Sequence, residues 1–178
     1  MIVLLVGMPG AGKEEFIKKA REMGLQVVSM GDVVREYTKS IGLELNDKNV
    51  GNVANNERKI NGMDIWARRT IEKIKGNKCI IDGVRNKEEI DFFKENLKNK
   101  IVVTAILSSE HVRFKRIINR NRKDDAKSWE QFAEREKREL SWGLGNVIAM
   151  ADYFIINEGT LEDFRKKVED FLNGLKDC

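Results

Sequence analysis

Seven residues near the start of the chain carry the densest chemistry: Gly7-Met8-Pro9-Gly10-Ala11-Gly12-Lys13. Their G-x-x-x-x-G-K spacing is that of a P-loop, which cradles nucleotide phosphates in backbone amides. The glycines permit positive φ and close approach of backbone to phosphate, and Lys13 adds a mobile positive charge. Before the loop, Ile2-Val3-Leu4-Leu5-Val6 reads as a buried strand; after it, Phe16, Ile17 and Ala20 recur at helical spacing. Strand, turn and helix start together aim N–H groups and a helix dipole at an anion. The plain alternative is a glycine-rich turn that holds nothing.

Three further groups could serve the same anion. Asp82 ends the apolar run Cys79-Ile80-Ile81 and precedes Gly83; a carboxylate at that end of a central strand can hold Mg²⁺ or its water shell. A strand-end turn aspartate explains it as well. Asp32 and Arg35, in Ser29-Met30-Gly31-Asp32-Val33-Val34-Arg35, could orient a metal water and clamp an acceptor phosphate, or be a helix cap and a solvated arginine. Arg85 is a second clamp candidate, since a guanidinium binds phosphate oxygens in pairs. From His111 to Lys123 run six basic residues and no acids, with Arg113, Arg116 and Arg120 on one stripe beside Phe114, Ile117 and Ile118. A wet helix face is the ordinary reading. A lid bringing unpaired charge to a moving phosphoryl group is the functional one, and such an arginine is worth about 10³–10⁵ in rate.

These residues must be held by alternating strands and helices. Apolar runs at Ile2–Val6, Gln26–Ser29, Lys78–Ile81, Ile101–Leu107 and Tyr153–Ile156 are separated by helical patterns. The arrangement calls for a mostly parallel sheet covered on both faces. The last helix starts at Thr160, a capping side chain with Asp163 three residues on. Residues 31–76 and 109–150 form two helix-rich insertions, the second with a polar turn near 121–127; both suit parts that close over ligands. At 178 residues the chain reads as one domain. Its net charge of +4 suits a phosphate ligand but is too mild to argue for nucleic acid. No apolar run reaches membrane-spanning length and no signal-peptide pattern opens the chain, so a cytoplasmic protein is expected. Cys79 and Cys178 make no metal spacing or disulfide framework, which points to core packing and an idle thiol. A single histidine, His111, argues against Ser-His-Asp chemistry and multi-histidine metal sites, and its place where a helix should begin reads as a surface or N-terminal helix residue. Trp129 and Trp142 fit core or lid packing better than a nucleic-acid stacking platform.

Taken together, these motifs resemble those of nucleoside monophosphate kinases, and the chain is most similar to a largely archaeal family described as adenylate-kinase-related. The loop, including Pro9, is similar to the adenylate kinase loop; Gly31-Asp32-Val33-Val34-Arg35 resembles G-D-x-x-R; and Asp82-Gly83-Val84-Arg85 looks like a shortened D-G-F-P-R. Arg122-Lys123-Asp124-Asp125, with Arg135 and Arg138, is similar to the far side of that family's lid. Residues 151–159 resemble instead the closing strand of dephospho-coenzyme A kinases. The resemblance implies a P-loop NTPase three-layer α/β/α fold with a five-stranded parallel sheet in order 2-3-1-4-5. It also implies an ATP- and Mg²⁺-dependent phosphotransferase acting on a small phosphorylated acceptor such as AMP.

In that scheme residues 7–15 (Gly7 to Lys13, then Glu14 and Glu15) bind ATP, while Lys13, Asp82, Arg116 and Arg120 are catalytic. Asp32, Arg35 and Arg85 bind the acceptor, and Asp32 and Asp82 hold Mg²⁺ through water. Two departures stand out. Glu14-Glu15 replaces the metal-binding Ser or Thr after the lysine, and both glutamates are expected to turn outward on the first helical turn, where the dipole favours them. Glu89 stands where the family's adenine-reading glutamine would be, and reads as a surface residue of the following helix. A regulatory ATPase without efficient transfer is the alternative, as is a dephospho-coenzyme A kinase-like activity. Asn121-Arg122-Lys123-Asp124 lacks the N-K-x-D lysine of GTPases.

Overall fold

The computed structural model describes residues 1–120 and 125–175. Five strands, β1 (Ile2–Val6), β2 (Gln26–Ser29), β3 (Cys79–Asp82), β4 (Ile101–Leu107) and β5 (Tyr153–Ile156), form one parallel sheet in the order 2-3-1-4-5. The third strand sits one residue later than its apolar run suggests, because Asp82 stays in the ladder, opposite Leu5 on one side and Ser29 on the other. Its carboxylate is thereby fixed to the sheet's carboxyl edge rather than left on a turn.

The two-residue period of the strands splits the core. Val3 and Leu5 pack with Ile80 beneath α1 (Lys13–Glu22) and α9 (Leu161–Gly174), against Phe16, Ala20, Phe164 and Val168. Ile2, Leu4 and Val6 face the other way, with Cys79 and Ile81. That second layer holds α2 (Met30–Ser40), α3 (Asp47–Asn61), α4 (Ile65–Thr70), α5 (Lys87–Asn96) and α8 (Leu144–Ala149), centred on Trp66, Phe93 and Leu144. A sheet buried on both faces needs near-continuous apolar strands, which is why β1 is buried throughout. Between β4 and α8 come α6 (Glu110–Arg120) and α7 (Trp129–Ser141), joined by a small cluster of Phe114, Ile117, Ala126 and Phe132. Trp129 sits edge-on to Phe114, with ring centroids 5.0 Å apart.

Local signals set the helix starts. Thr160 caps α9 by accepting from Asp163 N at 3.1 Å. Ser29 caps α2 by accepting from Asp32 N, so the cap is the serine at the strand end and not Asp32. Cys79 is buried, and desolvation raises its thiol to about 11, which keeps it neutral core packing. Cys178 and residues 121–124, with the lid motif and the N-K-x-D test that fall on them, lie outside the described residues. Among the described residues no helix is long and apolar enough to cross a membrane.

Candidate phosphate-binding active site

All five strands point their carboxyl ends at one cleft of about 490 Å³. Its floor is the loop between β1 and α1. Gly12 caps α1 in the left-handed region and no side chain caps the helix, leaving first-turn amides for an anion. Gly10 has φ +80°, and a Cβ there would lie 2.6 Å from the Arg113 carbonyl oxygen, so the loop can pass α6 only with glycine at that point. Gly7, Met8 and Ala11 contribute backbone rather than cleft wall. The Gly7 carbonyl accepts from Lys13 Nζ at 2.8 Å, Met8 packs on the core, and the Ala11 carbonyl accepts from Asn157 Nδ2 at 2.8 Å.

Lys13 and Asp82 face one another electrostatically across the cleft. Desolvation lowers the Lys13 ammonium from the ordinary 10.5 to about 8, with Asp82 opposing the drop. Burial raises the Asp82 carboxyl, with Lys13 and Arg85 pulling it back down and Asp32 pushing it further up. Asp82 Oδ1 is buried and has no hydrogen-bond partner among the described residues. An orphaned carboxylate oxygen in a phosphate cleft is the kind of donor a hydrated Mg²⁺ takes, so the residues present fit that ion. Among the described residues no group of three or more His, Cys, Asp or Glu could cage a metal.

Another wall of the cleft is built by α2 and the turn after β3. Arg35 lines the cleft and donates from Nη1 to Asp32 Oδ1 at 2.8 Å; Asp32 itself is not among the lining residues. Arg85 lines the cleft too, ion-paired with the buried Glu139 of α7. Burial would lower the Arg85 guanidinium, but Glu139, Asp82 and Glu89 outweigh it and hold it firmly charged. Glu139 is likewise kept ionised: desolvation is overcome by Arg85, Arg135 and Lys13.

The basic stripe of α6 is not unpaired. Arg113 is buried, donates to the Ser108 and Pro9 carbonyls, and ion-pairs with Glu136, so it staples α6 to the loop. Arg116 donates to Ser108 Oγ at 2.9 Å and to Asn157 O at 3.1 Å. Arg120 makes a two-point pair with Asp125 at 2.6 and 2.7 Å and reaches Glu14 at 2.8 Å. Arg116 and Arg120 still line the cleft. The stripe is paired by the loop, α1, Ser108, Asp125, α7 and Asn157, partners that helical spacing cannot reveal.

The two glutamates after Lys13 stand at the cleft margin, Glu14 with Arg120 and Glu15 with Arg165. Glu89 is a correction to the expected surface residue: it is fully buried, accepts from Arg58 Nη2 at 2.8 Å and from the Arg85 amide at 2.6 Å. Helix α5 is capped by Asn86, and this turns its third residue inward onto Arg58. Sequence reasoning left off the site two polar side chains that line the cleft, Arg135 and Asn157, and Glu139, which supports Arg85. Arg135 was visible only as part of a lid-like motif, and Asn157 only as the residue closing the final strand.

The fold and this loop define a P-loop protein with a kinase-like α/β/α architecture. A family model described as an AAA domain matches residues 6–133. A UPF0200 protein of Thermoplasma volcanium is 51% identical over 172 residues, covering 96% of each chain. Another, from Pyrococcus horikoshii, is 39% identical over 95% of this chain and 94% of its own length. The chain therefore belongs to the AAA domain family and to the UPF0200 family. In fold it is similar to shikimate kinase from Aquifex aeolicus (TM-score 0.58, 15% identity, 99% and 98% covered). It is also similar to TT1252 from Thermus thermophilus (TM-score 0.62, 15% identity, 98% and 97% covered).

Proposed function

We propose that this protein is an ATP-dependent phosphotransferase of the nucleoside monophosphate kinase type, moving the ATP γ-phosphoryl to a small phosphorylated acceptor, AMP being the simplest. One observation carries the reading: a single cleft joins the P-loop and Lys13 to Asp82, to the paired clamp Arg35 and Arg85, and to Arg116, Arg120 and Arg135. The adenylate-kinase-like motifs at residues 7–13, 31–35 and 82–85 support it.

Phosphoryl transfer asks for positioning and charge more than covalent chemistry. In this scheme the loop amides and Lys13 hold the β and γ phosphates. Arg35 and Arg85 fix the acceptor phosphate in line, with Glu139 holding Arg85 in register. Arg116, Arg120 and Arg135 balance charge on the moving group. Asp82, with Asp32 through water, would hold Mg²⁺, which when bound neutralises charge between the β and γ phosphates. Glu14 occupies the position of the usual hydroxyl ligand but is engaged by Arg120. That substitution favours the second reading, a nucleotide-binding regulatory ATPase.

The deciding experiment incubates the protein with Mg²⁺-ATP, a panel of mononucleotides and dephospho-coenzyme A, and follows phosphorylated products by mass. Transfer to one acceptor class is the expected result. Tight nucleotide binding with no phosphorylated acceptor across the panel would overturn the kinase reading and leave the regulatory one.

A further inference from the structure

Beyond Arg35 and Arg85 the cleft opens into a side chamber of about 90 Å³, walled by α2, α3, α7 and the Trp142 ring; both spaces share Gly31, Arg35, Gly83, Arg85 and Arg135. If an acceptor phosphate sits on Arg35 and Arg85, the rest of the acceptor enters this chamber. Five arginines line it: Arg35, Arg58, Arg85, Arg135 and Arg138. Against them stand Asp47 and Glu139 in the wall and Glu89 behind Arg58. Glu139 pairs with Arg85, Asp47 takes Arg138 at 2.7 Å and Arg135 at 3.6 Å, and Glu89 takes Arg58.

Those pairings leave donors unused. Arg58 Nε and Nη1 and Arg138 Nε are buried with no hydrogen-bond partner among the described residues, while Arg135 Nε and Nη1 stand beyond hydrogen-bond reach of their ion-pair partners, Asp47 at 3.6 Å and Asp125 at 3.8 Å. The Arg58 side chain is only 4% exposed and lies over the Trp142 ring, 4.6 Å from its centroid. Space is made for these groups: a Cβ on Gly51 of α3 would stand 2.8 Å from Arg138 Cζ. Buried guanidinium nitrogens without acceptors are costly, and an oxyanion that offers two oxygens is the partner their fork geometry fits. A neutral purine offers too few acceptors for them. The chamber has room for several waters, hence for a carboxylate or a phosphate.

We propose that the acceptor carries a second anionic group, bound in this chamber by Arg58, Arg135 and Arg138. This rests on the kinase reading only for the placement of the first phosphate. The test is calorimetry with two matched pairs of probes, each with and without a non-hydrolysable ATP analogue. One pair is glycerol 3-phosphate against 3-phosphoglycerate, which differ by a carboxylate; the other is AMP against adenosine 3′,5′-bisphosphate. A member bearing the second anion should bind at least about tenfold tighter than its partner, the worth of one charge-assisted pair. Arg138→Gln and Arg58→Lys should bring that ratio close to one; Arg138 is the safer variant, being partly exposed and away from the buried Arg58–Glu89 pair. The better pair names the anion as carboxylate or phosphate. Equal affinity within both pairs, or a preference untouched by either variant, would overturn the proposal. No heat with the ATP analogue would instead sink the kinase reading, while the probe pairs alone still decide the chamber.

Discussion

The partly buried Lys13 gives the most direct handle on the site. Its folded value of about 8 lies below the ordinary 10.5 because burial penalises the charged form. A polyphosphate placed beside it reverses that penalty and restores the proton. ATP binding at pH 8 should therefore draw about half a proton from buffer, about 0.9 at pH 9 and almost none at pH 6.5. The measurement is calorimetry without Mg²⁺ in buffers of different ionisation enthalpy, repeated with Lys13→Met, which should lose the uptake. The same shift has a stability side. A base whose folded value is depressed contributes stability that is full above its unfolded value of 10.5 and lost as pH falls through about 8. At pH 7 the unliganded fold therefore carries a charged lysine at a cost of roughly 1–3 kcal/mol, the upper end being the full shift at 1.36 kcal/mol per unit. Lys13→Met should raise Tm at pH 7 by roughly 2–12 °C while abolishing transfer. Binding heats identical across buffers at pH 8 and 9, or uptake that survives in Lys13→Met, would refute the placement of Lys13 against the phosphates.

Other outcomes follow from single contacts. Arg35→Ala should raise the acceptor KM by about 10–100-fold, the worth of a lost charged clamp, with little change in ATP affinity in a coupled ADP assay; full activity would remove Arg35 from the site. Glu89→Ala leaves Arg58 charged and buried without its partner, and should cost about 3–5 kcal/mol in urea unfolding; a loss under 1 kcal/mol would mean Arg58 finds another acceptor. Gly10→Ala forces a Cβ against the Arg113 carbonyl at positive φ, and should abolish ATP binding and lower Tm by several degrees, since backbone of this kind costs about 1–3 kcal/mol per residue.

Much of the scaffold was legible in the chain. Apolar runs of four to seven residues marked each strand within one residue; for β1, β3 and β4 the reason is burial on both faces, which tolerates little else, whereas the edge strands β2 and β5 are apolar but only partly covered. Thr160 announced α9, since a capping hydroxyl acts within three residues of itself. The P-loop was legible because its glycines and lysine are all local. Side chains whose meaning depends on distant partners were not legible. Glu89 looked like a surface glutamate until α3 placed Arg58 over it. Arg113, Arg116 and Arg120 looked unpaired until Glu136, Asn157 and Asp125 arrived from elsewhere in the chain.

The chain alone thus determined where anion-binding backbone lies, since hydrophobic period and glycine geometry act over a handful of neighbouring residues. Only the tertiary structure decided which charges stay available to a ligand. Burial and pairing depend on contacts between segments more than twenty residues apart, such as Arg58 with Glu89 and Arg138 with Asp47. The Arg58 and Arg138 nitrogens that make no hydrogen bond among the described residues are what those pairings leave over in the side chamber.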